Sequence, residues 1–210
     1  MSTMLLVGAT GLVGQAVLKQ ALADPRLAWV ITPTRRALPL HPKLFNPLVN
    51  FDHLPEGADW WAVDAVICTL GTTIKVAGSQ AAFYRVDHDL PLQVGKLALR
   101  HGARAYALNS ALGADPASRV FYSRTKGELE RDLEALGFAS LTFVRPGLIG
   151  GDRKVARPAE QAAVRVSQWL SPVLPPRYRV VPAERIAHHL LSSALAGAPG
   201  THVLMSEQLL

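Results

Sequence analysis

The chain has 210 residues, 49% of them hydrophobic and 18% charged. This length suits one domain of roughly 100–200 residues with a modest addition, and the composition excludes a disordered chain. The net charge of +6 raises anionic partners without choosing among them.

Met4-Leu5-Leu6-Val7 is a short apolar run that predicts a buried strand ending at Gly8. Leu12, Val13, Ala16, Val17 and Ala21 then follow helical spacing, and Asp24-Pro25 stops that helix. Trp29 to Thr32 predicts a second strand, Leu48 to Phe51 a weaker third, and Asp64 to Leu70 a strong fourth. A helix is expected over 87–101, with Pro91 near its start, where proline is tolerated. Ala105 to Leu108 reads as a fifth strand, 121–136 as a helix stopped by Gly137, and Leu141 to Arg145 as a sixth strand. Beyond residue 146 prolines break the chain, leaving helices expected over 158–169 and 184–196. Continuous apolar strands alternating with helices imply α/β architecture: a doubly wound parallel sheet covered on both faces. We expect a single domain over 1–210, with most of 146–210 forming a substrate-side appendage.

The first strand meets the first helix through Gly8-Ala9-Thr10-Gly11-Leu12-Val13-Gly14. Such a turn needs glycine for positive φ and for close approach of a pyrophosphate, and the helix N-terminus offers free N–H groups. A dinucleotide is therefore expected on Gly8, Thr10, Gly11, Leu12, Val13 and Gly14. The second strand runs into Thr34-Arg35-Arg36 with no acidic residue nearby. Arginine there accommodates a 2′-phosphate, so NADP(H) is preferred over NAD(H), with Arg35 and Arg36 as contacts. Asp52 is placed to reach the adenine, with a cap or turn role equally open. Leu70, Gly71 and Thr72 end the fourth strand, where ligands lie in open parallel sheets.

Tyr122 and Lys126 are four apart in a predicted helix and share one face. A phenol ordinarily titrates near ~10, and a neighbouring ammonium draws it towards the working range for acid–base chemistry. Ser110, just past the fifth strand, is placed to hold the same substrate oxygen.

The glycine turn, Ser110 and Tyr122-Ser123-Arg124-Thr125-Lys126 together resemble the short-chain dehydrogenase/reductase superfamily. Cys68 to Thr73, Tyr84 to Asp87, and Tyr122 to Glu130 leading into Arg145-Pro146-Gly147 are similar to its atypical, nucleotide-sugar epimerase-like branch that includes the human Tat-interacting oxidoreductase. The resemblance covers most of residues 4–150. It implies a Rossmann fold, an NADP-type cofactor also touched by Tyr122, Lys126, Arg145 and Pro146, and a Ser-Tyr-Lys site at Ser110, Tyr122 and Lys126. It also implies pairing of copies through helices 87–101 and 121–136, with a monomer left open.

The remaining features read more plainly. Cys68, the single cysteine, excludes an internal disulfide framework and sits in a predicted buried strand as an inert thiol. His188-His189 is the only adjacent histidine pair, and no metal is expected. Trp60-Trp61 reads as core packing or a surface ridge rather than a binding platform, and Asp87 as a helix cap. No apolar run reaches the ~20 residues of a membrane span. Met4 to Ala23 imitates a leader, but no Lys or Arg precedes it and Lys19 interrupts it. A cytoplasmic protein is the expectation.

The segment from Arg145 to Arg185 has eight basic and three acidic residues, a balance of +5. Such localised charge argues against a nucleic-acid partner. Beside a predicted active site it favours an anionic small-molecule substrate, with a solvated surface as the equal alternative. Three functions stand: an NADP(H)-dependent oxidoreductase acting on a carbonyl or alcohol, a non-catalytic dinucleotide sensor, and a nucleotide-sugar epimerase or dehydratase.

Overall fold

The computed structural model describes residues 2–150 and 175–210. Its centre is a seven-stranded sheet: β1 (Ser2–Val7), β2 (Leu27–Ile31), β3 (Leu44–Phe45), β4 (Ala65–Cys68), β5 (Ala105–Asn109), β6 (Ser140–Arg145) and β9 (Gly200–Met205). The spatial order is β3-β2-β1-β4-β5-β6-β9, and each pair is parallel. Every strand therefore ends at one edge. The order reverses between β1 and β4, which opens a crevice there.

Two apolar layers cover the sheet. On one face, Met4, Leu6, Val30, Ile67 and Ala107 meet α1 (Leu12–Ala23) and α6 (Ala183–Ala196). On the other, Leu5, Val7, Val66, Tyr106 and Leu108 meet α4 (Leu90–Arg100) and α5 (Phe121–Glu134). Alternate residues of one strand serve opposite layers because strand side chains alternate. Trp61 is fully buried and donates from Nε1 to the Pro55 carbonyl, which fixes the tryptophan pair as packing. Cys68 is also fully buried.

Four expectations are corrected. The third strand is Leu44–Phe45 rather than 48–51; Leu48 keeps only an isolated bridge to Thr34. The expected 87–101 helix begins earlier, because α3 (Gln80–Tyr84) runs into α4 through a π-helical turn, Arg85–Asp89. Pro91 has no N–H to give and its ring crowds the preceding turn, and a widened turn accommodates both. The Leu90 N–H bonds accordingly to the Arg85 carbonyl, five residues back. A seventh strand, β9, was not expected. It pairs with β6 from Ser140↔Gly200 to Arg145↔Met205. Finally, α6 and β9 join the sheet layers, so the expected appendage narrows, among the described residues, to β7 (Leu148–Gly150) and β8 (Val180–Pro182), which pair with each other. The expected 158–169 helix lies outside the described residues.

Candidate active site

The carboxyl edge of the sheet gathers most of the candidate residues. Gly8 follows β1 with φ +88°. A Cβ there would meet the Thr69 backbone at 2.6 Å, and one on Gly14 would meet the Gly8 carbonyl oxygen at 2.0 Å. Those two glycines are required by packing. Gly11 is different: a Cβ there would meet only the Gly8 oxygen, at 3.4 Å. Its bare backbone leaves open the surface over the start of α1, where no side chain caps the helix and no acidic residue sits in the first turn. That is the arrangement an anion needs.

Arg35 and Arg36 follow β2 and are exposed, and among the described residues neither guanidinium has a hydrogen-bond or ion-pair partner. Asp52 pairs with Arg85, whose Nη2 lies 2.5 Å from its Oδ1. At the end of β4, a Cβ on Gly71 would come within 3.4 Å of Asp87 Oδ1 and 3.9 Å of Lys126 Nζ. The turn after β4 thus lies beside Lys126.

α5 presents Tyr122, Lys126 and Glu130 at successive turns of one face. Tyr122 is 38% exposed and stands beside Phe83 of α3, ring centroids 5.7 Å apart. It opens on a pocket of about 410 Å³ lined by Ala111, Leu112, Pro146, Gly147, Leu148 and Tyr178. Lys126 is buried and pairs with Asp87 at 2.8 Å. Burial works against the ammonium, but Asp87 and then Tyr122 outweigh it and hold Lys126 above its ordinary value. Ser110 is buried and donates to Glu130 Oε1 at 2.5 Å. Arg145 closes on the same carboxylate, which raises the guanidinium further.

Two residues of this cluster escaped the sequence reading. Asp87 is no helix cap: its carboxylate is 1% exposed, paired with Lys126, and accepts the Thr72 N–H at 2.8 Å. The π-turn aims it inward, which no periodicity argument foresees. Glu130 did carry a signal, lying four residues past Lys126 on the face already singled out. Of the basic residues expected near a substrate, Arg145 is neutralised by Glu130. Arg153, Lys154, Arg157 and Arg165 lie outside the described residues.

The chain is 37% identical over 171 residues to the mitochondrial protein fmp52 of Emericella nidulans, covering 78% of this chain and 73% of that one. The chain belongs to the FMP52 family. A relative from Coccidioides immitis is 30% identical over 220 residues and spans 96% of this chain and 89% of its own. The matched FMP52 proteins are named mitochondrial, which overturns the cytoplasmic expectation. A lone buried thiol and a lack of long apolar runs do not tell one reducing compartment from another. No family model matches the chain. Among solved structures, this FMP52-family chain resembles WbmH of Bordetella bronchiseptica in complex with NAD+ (TM-score 0.72, 16% identity, 98% of this chain and 76% of that one). It also resembles a short chain dehydrogenase family protein of Francisella tularensis (TM-score 0.70, 13% identity, 99% and 98%). At such identities the likeness is one of fold: the Rossmann fold of short-chain dehydrogenases and epimerase-like proteins.

Proposed function

We propose that this protein is an oxidoreductase of the short-chain dehydrogenase type, moving hydride between NADP(H) and a carbonyl or alcohol at a Ser110-Tyr122-Lys126 site. The observation that carries this is the α5 face. It sets a half-exposed phenol at the pocket mouth and a buried ammonium one turn behind it. The residues fit a dinucleotide: Gly8 to Gly14 form an uncapped helix start beneath a bare Gly11, and Arg35 has an exposed guanidinium, unpartnered among the described residues and suited to a 2′-phosphate. The NAD named with WbmH supports a dinucleotide of this class. When bound, it supplies or accepts the hydride. Tyr122 passes the proton to or from the reacting oxygen. Lys126 keeps positive charge near that phenol, and Asp87 holds Lys126 charged despite burial. Pro146, Leu148 and Tyr178 line the pocket beside Tyr122.

Within the superfamily, the segments Cys68–Thr73 and Tyr84–Asp87 support placement near the Tat-interacting oxidoreductase branch. Nucleotide-sugar epimerisation is the second reading, favoured by a neighbour of TM-score 0.75 solved with UDP-glucose and NAD. Net consumption of NADPH separates the two. The decisive variant is Tyr122→Phe, assayed by NADPH oxidation against a panel of aldehydes and ketones. The mechanism requires NADPH binding to stay nearly intact while turnover falls by roughly 10²-fold or more. Unchanged turnover excludes Tyr122 as the proton donor.

A further inference from the structure

Glu130 lies one helical turn beyond Lys126 and two beyond Tyr122. Its side chain is 6% exposed. A buried carboxylate needs partners, and this one has two. Arg145 Nε lies 3.0 Å from Oε1 and 3.2 Å from Oε2, while its Nη2 holds Oε2. Ser110 Oγ donates to Oε1 at 2.5 Å. A carboxylate gripped by a guanidinium accepts hydrogen bonds and donates none. A serine oxygen carries one hydrogen and two lone pairs. The Ser110 hydrogen is therefore committed to Glu130, and what Ser110 still offers is an acceptor.

We propose that Glu130 fixes Ser110 as a hydrogen-bond acceptor towards the reacting oxygen, so that the site takes the alcohol member of a redox pair in preference to the carbonyl. This rests on the Ser-Tyr-Lys reading above. In the binding state an alcohol hydroxyl accepts from Tyr122 and donates its one hydrogen to Ser110 Oγ, turning that hydrogen to Tyr122 only when the proton is passed, whereas a carbonyl oxygen meets the Ser110 lone pairs and is repelled. Ala111 and Leu112, which follow Ser110, line the pocket with Pro146 and Leu148. These walls suit an alcohol with a compact apolar body. Glu130 itself touches no substrate here. It is a positioning residue that acts through Ser110.

Glu130→Gln tests the idea because it keeps the shape and changes the polarity. Arg145 has only donors to offer and both its Nε and Nη2 reach the Oε2 position, so the amide oxygen sits there and the Nε contact to Oε1 is given up. The amide NH₂ then faces Ser110, whose hydroxyl becomes the acceptor of that bond and is released to donate into the site. The preference between alcohol and carbonyl should reverse.

The experiment is a ligand-detected NMR titration of the full chain with 1-phenylethanol and acetophenone as a matched pair. No dinucleotide is added, so no turnover intervenes. The wild type should bind the alcohol more tightly, and Glu130→Gln should move the alcohol-to-ketone affinity ratio towards the ketone by roughly tenfold. In Ser110→Ala the preference should vanish, and adding Glu130→Gln to it should change nothing more. The proposal is overturned by a ketone preference in the wild type, by a folded Glu130→Gln with an unchanged ratio, by a shift that persists without the Ser110 hydroxyl, or by binding of neither probe. Should Glu130→Gln fail to fold, wild type against Ser110→Ala decides: a preference that survives loss of the hydroxyl refutes it. The Tyr122→Phe turnover test stands apart. An alcohol preference with Tyr122→Phe fully active would sink the acid–base reading alone, and the converse would sink only the polarity of Ser110.

Discussion

Asp87→Asn is the perturbation that most directly probes the site. Asp87 and Lys126 form a 2.8 Å pair with side chains 1% and 4% exposed. Removing one partner of a buried pair costs roughly 3–5 kcal/mol, because the other charge is left uncompensated. The asparagine keeps one acceptor oxygen, but two donors compete for it: Lys126 Nζ and the Thr72 N–H. We therefore expect a loss of about 3 kcal/mol. At ~2–4 °C per kcal/mol for a chain of this size, Tm falls by roughly 6–12 °C.

The pH dependence gives a second signature. In the wild type Lys126 is held above its ordinary value, since Asp87 and Tyr122 outweigh burial. Its contribution is complete below the ordinary lysine range, near ~10.4, and is lost as pH rises through the higher folded value. In Asp87→Asn burial prevails, and the folded state binds that proton less tightly than the unfolded chain. Stability of the variant should then rise with pH up to the ordinary lysine range, near ~10.4, where this pair gives the wild type no such slope. Thermal unfolding followed by circular dichroism at several pH values measures both effects. Replacing both residues, Asp87→Leu with Lys126→Met, should return most of the stability. A Tm for Asp87→Asn within about 2 °C of wild type, or parallel pH slopes, refutes the reasoning.

Further outcomes are expected elsewhere. Gly11→Ala should cost under about 1 kcal/mol, as its backbone (φ −77°, ψ 169°) suits alanine, yet weaken NADPH binding roughly tenfold in a fluorescence titration. Gly14→Ala should instead destabilise by about 3 kcal/mol in chemical denaturation, since its Cβ would sit 2.0 Å from the Gly8 oxygen. Arg35→Glu should lower affinity for NADPH while leaving NADH nearly unchanged; equal affinities in the wild type remove the NADP preference. Burial pushes the Cys68 thiol above its ordinary value, so a thiol reagent should label it only on unfolding, and rapid labelling of native protein would contradict that.

Much of this was legible because the signals are local. The β1–α1 glycine turn, β4, β5, β6 and the shared face of Tyr122 and Lys126 each declare themselves within a few residues. The misses share a different character. β9 is an edge strand whose Gly200 to Val203 are exposed, so no continuous apolar run marks it. The π-turn depends on how the chain accommodates Pro91, and only that turn shows Asp87 to be a buried counter-ion rather than a cap. Glu130 was visible as a spacing, but its hold on Ser110 requires knowing that β5, β6 and α5 converge.

The packing of α1 against α6 bears on how the chain comes to be folded in time. Gln20 of α1 donates to the Glu184 carbonyl, a separation of 164 positions. Val13, Val17 and Ala21 share an apolar layer with Ile186, Leu190 and Leu191. During synthesis from the N-terminus, the helix beneath the glycine turn emerges long before the one that covers it. Until residues 183–196 arrive, part of that apolar stripe faces solvent or a chaperone. The glycine turn, although written in residues 8–14, gains its full support only once residues 183–196 have been made.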